Sequence, residues 1–367
     1  MDMTVHRESL LKPLQAVSGV VEKKQTLPIL SNVLLTVKDN QLFLTGTDTE
    51  VALVGCVSVA ACRSGTTTVF ARKLFDICRT VPEGATLRLT VEGNYLVVRS
   101  GESSFKLNTL AADEFPDLEV IEYPVKFTLK QSQLKSLFSR TYFAMGLQDV
   151  RHYLNGTFLD ISQNTIKSVA ADGHRLALTT IHDERIGEGV EARVILPRKS
   201  VLELIRLLSG DADGDVTVCI AESRFQVTTS DFIFTSKLIN AQYPDYNRLI
   251  PQGTTVAEGE REAIKQALTR ASILCNEKFR GVRVGLEPGM LRITANNSDQ
   301  EQADDAVSLA YEGTKMEIGF NVAYLLDVVS AISAKTIRCI FTDPNNGVLI
   351  EATEGDHCLY VVMPMRL

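Results

Sequence analysis

The chain has 367 residues, 45% of them hydrophobic and 23% charged, with a formal net charge of −7. That length suits two or three domains with cores of their own, and the negative charge argues against a uniformly basic nucleic-acid binder. No apolar run reaches the roughly 20 residues of a membrane span; the start, Met1-Asp2-Met3-Thr4-Val5-His6-Arg7, lacks a secretory pattern; and seven cysteines without CxxC read as reduced thiols of a cytoplasmic protein with no metal site.

In chain order, Leu10, Leu11, Leu14 and Val17 fall at helical spacing. Pro13 inside that pattern predicts a late helix start or a bend. Residues 32–37 alternate as a strand that ends at the turn Asp39-Asn40. Ala71-Arg72-Lys73 opens a second helix through Leu74, Phe75 and Cys78. A third carries Leu134, Leu137 and Phe138, and Gln163-Asn164 marks the next turn. Pro197-Arg198-Lys199 opens a fourth helix with Val201, Leu204, Ile205 and Leu208, and residues 217–220 read as a strand. The fifth helix holds Ile264, Ala267 and Leu268. Pro288-Gly289 turns the chain into a strand at 291–294, and the sixth helix carries Val322, Leu325, Leu326 and Val329.

These signals repeat. Asn40, Asn164 and Gly289 are 124 and 125 positions apart; the two Arg-Lys helix starts are 126 apart; Phe115-Pro116-Asp117 returns 128 positions later as Tyr243-Pro244-Asp245. The chain therefore reads as one unit used three times: domains 1–124, 125–251 and 252–367, with breaks near Glu122-Tyr123-Pro124 and Pro251-Gln252-Gly253. Each unit is α+β, with two helices on one face of an antiparallel sheet.

Charge follows the same division. Six helix windows together carry +8, which leaves −15 for the rest of the chain. Either the helices simply expose solvated charge, or they share a basic surface that faces a polyanion. A surface of one or two phosphate contacts per helix binds without sequence preference, at roughly 10⁻⁴–10⁻⁶ M. No aromatic series accompanies the basic residues, so base stacking is not expected. A grip that weak serves a protein that slides, provided a closed ring prevents escape.

Several segments then carry a family resemblance: Thr26-Leu27-Pro28-Ile29-Leu30, Tyr153-Leu154-Asn155-Gly156, Asp172-Gly173-His174-Arg175-Leu176, residues 231–238, residues 276–282, and the terminal residues 360–367. In this order, over the whole chain, they resemble the bacterial DNA polymerase III beta subunit, the sliding-clamp family. The resemblance implies three clamp domains per chain and a head-to-tail homodimer, a six-domain ring around duplex DNA. It implies a non-catalytic processivity subunit without cofactor. Its partners would be the DNA polymerase III alpha subunit, the clamp loader, other polymerases and repair proteins, held through short peptide motifs, and no membrane.

Carried over position by position, the resemblance implies DNA contacts at Lys24, Arg72, Gln148, His152 and Tyr153, with Lys199 as the second-unit analogue of Lys73. His152 stands where a tyrosine is expected. The dimer junction would use Lys73, Ile77, Phe105 and Leu107 on one side. Ile273, Leu274, Asp299, Glu301, Asp304 and Asp305 would form the other. An apolar centre flanked by opposite charges suits a junction that must close and be opened. The partner-peptide cleft would use Leu154, Gly173, His174, Arg175, Leu176, Pro244, Arg248 and Leu249, with Val361, Val362, Met363, Pro364, Met365 and Arg366 from the tail. Leucine, valine and methionine make an adaptable apolar pocket, and Arg175, Arg248 and Arg366 are expected at its rim. Ala171 stands where the family often has threonine.

Two other readings compete. One is a repeat-built interaction scaffold that does not encircle DNA. The other is an enzyme using Asp172 to orient His174 as a base. The enzyme reading lacks a nucleophile elbow, a P-loop or a dinucleotide fingerprint; the related segments Thr47-Asp48-Thr49-Glu50 and Ala295-Asn296-Asn297-Ser298 carry no histidine.

Overall fold

The computed structural model describes residues 1–21, 27–117, 119, 121–208, 213–355 and 357–366. Among them the first stretch holds β1 (Asp2–His6), α1 (Arg7–Val20), β2 (Asn32–Lys38), β3 (Gln41–Thr47), β4 (Val51–Ser58), β5 (Ala60–Arg63), β6 (Gly65–Phe70), α2 (Ala71–Thr80), β7 (Thr86–Glu92), β8 (Tyr95–Ser100) and β9 (Ser103–Leu110). The middle holds β10 (Val125–Lys130), α3 (Gln131–Ser139), β11 (Gly156–Ser162), β12 (Thr165–Ala171), β13 (Arg175–His182), β14 (Ala192–Pro197), α4 (Arg198–Leu207), β15 (Asp215–Ile220), β16 (Arg224–Thr228) and β17 (Phe232–Lys237). The last stretch holds β18 (Thr255–Glu260), α5 (Arg261–Ser272), β19 (Gly281–Glu287), β20 (Met290–Asn296), β21 (Gln302–Ser308), β22 (Met316–Asn321), α6 (Val322–Ala331), β23 (Thr336–Phe341), β24 (Val348–Ala352) and β25 (Cys358–Val362). This is the α+β pattern expected, with two helices per repeat.

Contacts divide the chain into two compact units, Met1–Gln131 with Arg206–Leu238, and Ser132–Ile205 with Ile239–Leu367. The first is built on one antiparallel sheet in the order β10-β15-β16-β17-β4-β3-β2-β6-β9-β8-β7-β1-β5. Helix α1 buries Leu10, Leu14, Val17 and Val20, one residue per turn on a single face, and lies on β3 and β4 and against α2. Each of those side chains contributes about 1.5–3 kcal/mol by burial. The helix starts at Arg7 and runs through Pro13, so the late start is corrected. A Cβ on Gly55 of β4 would lie 2.9 Å from the Pro13 ring, so that glycine leaves the room in which the proline packs.

The second unit has an eight-stranded sheet, β14-β11-β12-β13-β25-β24-β23-β18, and a four-stranded sheet, β21-β20-β19-β22. Helices α5 and α6 pack on each other. The repeat is visible in detail. Arg7, first residue of α1, donates to the Cys78 and Arg79 carbonyls at the end of α2. Arg261, first residue of α5, donates to the Val329 carbonyl in the last turn of α6 and to the Ala334 carbonyl three residues past it. In both, a guanidinium satisfies at least one carbonyl left orphaned by the helix end and complements its dipole.

The three predicted turns are two-residue hairpins in equivalent places. Lys38 pairs with Gln41, Ser162 with Thr165, and Glu287 with Met290. Asp39, Asn40, Gln163, Asn164 and Gly289 all have positive φ, the conformation that fits the right-handed twist of the flanking strands. Glutamine at 163 is the one residue in that set not suited to it by type.

Candidate functional site: a cleft on the eight-stranded sheet

The cleft begins at a tight turn between β12 and β13. The Asp172 carboxylate accepts the backbone N–H groups of His174 and Arg175 at 2.9 and 3.0 Å. Gly173 between them has φ +87°, and a Cβ there would lie 2.8 Å from Arg151 Nη2. Only glycine meets both demands without strain. Arg151 is held over the turn by Asp149, through Nε and Nη2 at 3.0 and 2.8 Å. That pairing, with the Arg151 backbone N–H as a second donor, holds the Asp149 carboxyl down at about 2. Asn155 braces the same loop by bonding both ways to the Asp149 backbone.

Asp172 also accepts Arg175 Nε at 3.0 Å, so its oxygens serve the turn and the arginine. None serves the His174 imidazole, whose ring stacks on Tyr324 at 6.2 Å. An aspartate-oriented base is therefore not what this segment builds. The expectation for Arg175 is corrected as well. Its guanidinium donates to Asp172, to Asp327 on α6 at 2.6 Å and to the Phe143 carbonyl at 2.5 Å, and it lies over the Tyr324 ring at 4.3 Å. With every edge of the fork engaged, Arg175 is a mooring post inside the cleft wall, not a rim donor.

Below the turn lies a buried apolar cluster of Leu154, Phe158, Val169, Ala171, Leu176, Ile195, Tyr246, Leu349 and Val361. Of the residues expected in the cleft, Leu154, Leu176 and Val361 belong to this buried floor, whereas Val362, also buried, alternates to the other face of β25. Gly173, His174, Pro244, Arg248, Leu249, Met363 and Arg366 are exposed, and Pro364 and Met365 are half-buried. Arg248 is paired only at the surface, with Asp245 at 3.1 Å, a contact worth little. The sequence reading missed Phe158, Tyr243 and Tyr246. Phe158 stacks on Tyr243 at 4.8 Å, and Tyr243 meets Tyr153 edge-on at 6.1 Å. The available signal was the repeated aromatic-Pro-Asp segment.

The tail is fixed. Strand β25 is interior, paired with β13 and with β24. Beyond it, Met363 N–H donates to the His174 carbonyl and Met365 N–H to the Gly319 carbonyl, both at 2.8 Å. The exposed Met363 thus sits on backbone that these hydrogen bonds hold in place.

Comparison with known proteins decides the family. The N-terminal, central and C-terminal domain models of the DNA polymerase III beta subunit match residues 1–119, 128–245 and 247–366. The chain belongs to the DNA polymerase III beta subunit family. It is 47% identical to the beta sliding clamps of Pseudomonas aeruginosa and of Escherichia coli K12, over the full length of both partners in each comparison. Among solved structures, the Pseudomonas aeruginosa beta subunit superposes with TM-score 0.96 at 47% identity, and the Caulobacter crescentus one with TM-score 0.94 at 31%, each covering all of both chains. A Pseudomonas aeruginosa sliding clamp of the same similarity is bound to griselimycin. Membership carries the sliding-clamp function and no catalytic role of its own.

Within this beta-subunit fold the residues expected at DNA, with Lys73, fall in three described places. Arg72 and Lys73 stand exposed on α2, Arg72 paired to Asp76 at 3.2 Å and Lys73 over the Phe70 ring. Lys199 is half-buried in the first turn of α4. Gln148 and His152 are exposed on the loop before β11, where Gln148 has φ +54° and Val150 is 89% exposed. Tyr153, on the same loop, is half-buried against the cleft cluster. Lys24 lies outside the described residues.

The junction residues lie at two open sheet edges. Among the described residues, 103–108 of β9 pair with β8 alone, because β6 reaches only Thr109 and Leu110. Phe105 and Leu107 are half-buried there, beside Lys106, whose Nζ lies 3.9 Å from the Tyr95 ring centroid; Ile77 is half-buried on α2. In the other unit β21 is an edge strand. Next to it Ile273 is 75% exposed and Leu274 half-buried at the end of α5. Asp304 and Asp305 already hold Arg292 and Arg270 of their own chain at 2.7 and 2.6 Å. Glu301 closes a turn with Asn297, and Asp299 is exposed.

Proposed function

We propose that two copies of this chain close head to tail into a ring around duplex DNA and tether the replicative polymerase to it. The three domains are 1–124, 125–251 and 252–367. The observation that carries the reading is the family match in all three consecutive domains, end to end. The open edge of β9, with Phe105, Leu107 and Lys73, meets the open edge of β21, with Ile273, Leu274 and the acidic residues 299–305, on the other copy. Unpaired backbone along both edges would be satisfied by the same contact. Arg72, Gln148, His152, Tyr153, Lys24 and Lys199 touch phosphates without reading sequence.

The cleft formed by the Asp172–Leu176 turn, Pro244–Leu249 and the tail takes short apolar peptide motifs from the DNA polymerase III alpha subunit, the clamp loader, other polymerases and repair proteins. The ring acts in the cytoplasm; among the described residues no helix is long and apolar enough to cross a membrane. The deciding experiment measures retention on nicked circular DNA, loaded with clamp loader and ATP, before and after the circle is cut. Loss on linearisation is the expected result. Equal retention on both forms would establish a surface-binding scaffold instead.

A further inference from the structure

The turn that opens the cleft has a second copy, in the other compact unit. Asp48 accepts the N–H groups of Glu50 and Val51 at 2.9 and 2.7 Å, as Asp172 accepts those of His174 and Arg175. Thr49 takes φ +77° where Gly173 takes +87°. Lys237 N–H donates to the Glu50 carbonyl at 2.8 Å, as Met363 N–H donates to that of His174. Ser236 pairs with Val51 as Val362 pairs with Arg175. Phe115-Pro116-Asp117 stands for Tyr243-Pro244-Asp245. The arrangement encloses an open groove with Val51, Ile121, Ile233 and Tyr123 among its apolar lining.

The chemistry at its rim differs from that of the tail cleft. Where the cleft has His174 and Met363, the groove has Glu50 and Lys237, paired at 2.8 Å; Arg224 pairs with Glu119 at 3.2 Å. In both pairs the carboxylate is the outer partner: Glu50 is 61% exposed against 39% for Lys237, and Glu119 72% against 21% for Arg224. Asp117 adds a third carboxylate to the rim. The groove thus offers solvent an acidic rim around an apolar floor on which Ile233 is 40% exposed. We infer that this groove is a second peptide-docking site, for an extended segment that alternates apolar and basic side chains. The apolar side chains would cover Ile233 and Ile121. The cations would sit against Glu50, Asp117 and Glu119, which hold them more by charge than by fixed geometry. The equivalence with the tail cleft rests on reading that cleft as a peptide site; the groove and its charge do not.

The test uses the full chain with labelled isoleucine methyls and an acetylated, amidated Gly-Leu-Lys-Leu-Lys-Gly peptide as probe. The expected result is a saturable shift of the Ile121 and Ile233 methyls. The apparent affinity falls about tenfold or more in Ile233→Ser, a surface change checked by an unaltered melting curve. It falls similarly when the peptide lysines become glutamates or when Glu50 and Glu119 become glutamines. Leu249→Ser in the tail cleft leaves the affinity unchanged. Absence of a saturable shift overturns the inference. So does equal binding of the glutamate peptide, or binding lost in Leu249→Ser and kept in Ile233→Ser. Failure of the DNA-retention experiment would sink the ring without touching this site.

Discussion

Arg175 on β13 reaches Asp327 on α6 at 2.6 Å while holding Asp172 at 3.0 Å, so one guanidinium joins the cleft turn to the last helix of the chain. The arginine side chain is largely buried and Asp327 half-exposed. Removing the cation leaves Asp172 beside an unfilled cavity. Arg175→Ala should cost about 3 kcal/mol by urea denaturation, the low end for a broken buried pair because Asp327 stays partly solvated. Arg175→Lys should recover less than half of that, since a single ammonium cannot serve three acceptors in a fork. A loss under 1 kcal/mol for the alanine variant, an ordinary surface-pair value, would contradict the mooring role.

That role was illegible in the sequence for a physical reason: Asp327 is 152 positions from Arg175, and no local pattern announces the pairing. The turns were legible, because Asp39, Asn40 and Gly289 are residue types that local sterics select for positive φ, and Pro288 fixes the negative φ of the turn position before Gly289. The helix faces were legible too; Leu134, Leu137 and Phe138 are all buried as spaced. The interior position of β25 was not, because it depends on pairing with β13, far earlier in the chain. The cleft was therefore placed by resemblance, and only packing revealed which of its residues are floor, wall or rim.

Deleting Met363–Leu367 should abolish binding of partner peptides and spare the dimer. The cut falls after β25, so the interior strand and its ladder remain, while the exposed Met363 over the cleft floor is lost. Fluorescence anisotropy with a polymerase-derived peptide and solution mass measured in parallel separate the two properties. Undiminished peptide affinity would remove the tail from the site.

Gly173→Ala should destabilise the chain by about 1–2 kcal/mol, the cost of a side chain at positive φ. It should also displace the Arg151 guanidinium, which lies where the new Cβ would go. The equivalent residue in the other unit is Thr49, already at φ +77°, so Thr49→Gly should raise the melting temperature. A lowered one would mean that the Thr49 side chain is needed more than its strain costs.

The loop before β11 should resist acid. Asp149 is held at about 2 against 3.8 for a free aspartate, first by Arg151 and by the Arg151 backbone N–H. A depressed carboxylate contributes its stabilisation above 3.8, and that contribution is lost as pH falls through about 2. Carboxyl NMR should therefore give Asp149 a midpoint near 2 in the native chain and a higher one in Arg151→Ala, which keeps only the backbone N–H donor. An ordinary midpoint in both would show that the guanidinium does not hold the loop.

Thiol chemistry should divide the cysteines by depth. Cys78 is buried under α1, and burial pushes its thiol up to about 11, whereas Cys56, its thiol also raised by partial burial, is exposed on β4. The thiolate is the reactive form, so Cys56 should react with a disulfide reagent in the native state at neutral pH. Cys78 should react only at the rate at which its surroundings open. The same shift predicts an alkaline effect. A raised thiol stabilises the fold fully below its unfolded value of 9.0, and that contribution fades as pH rises from there toward 11. Cys78→Ala should then show a shallower fall in stability over that interval than the parent chain, measured by urea unfolding at each pH. Parallel curves for the two proteins would show that ionisation of Cys78 in the unfolded chain is not what weakens the fold there.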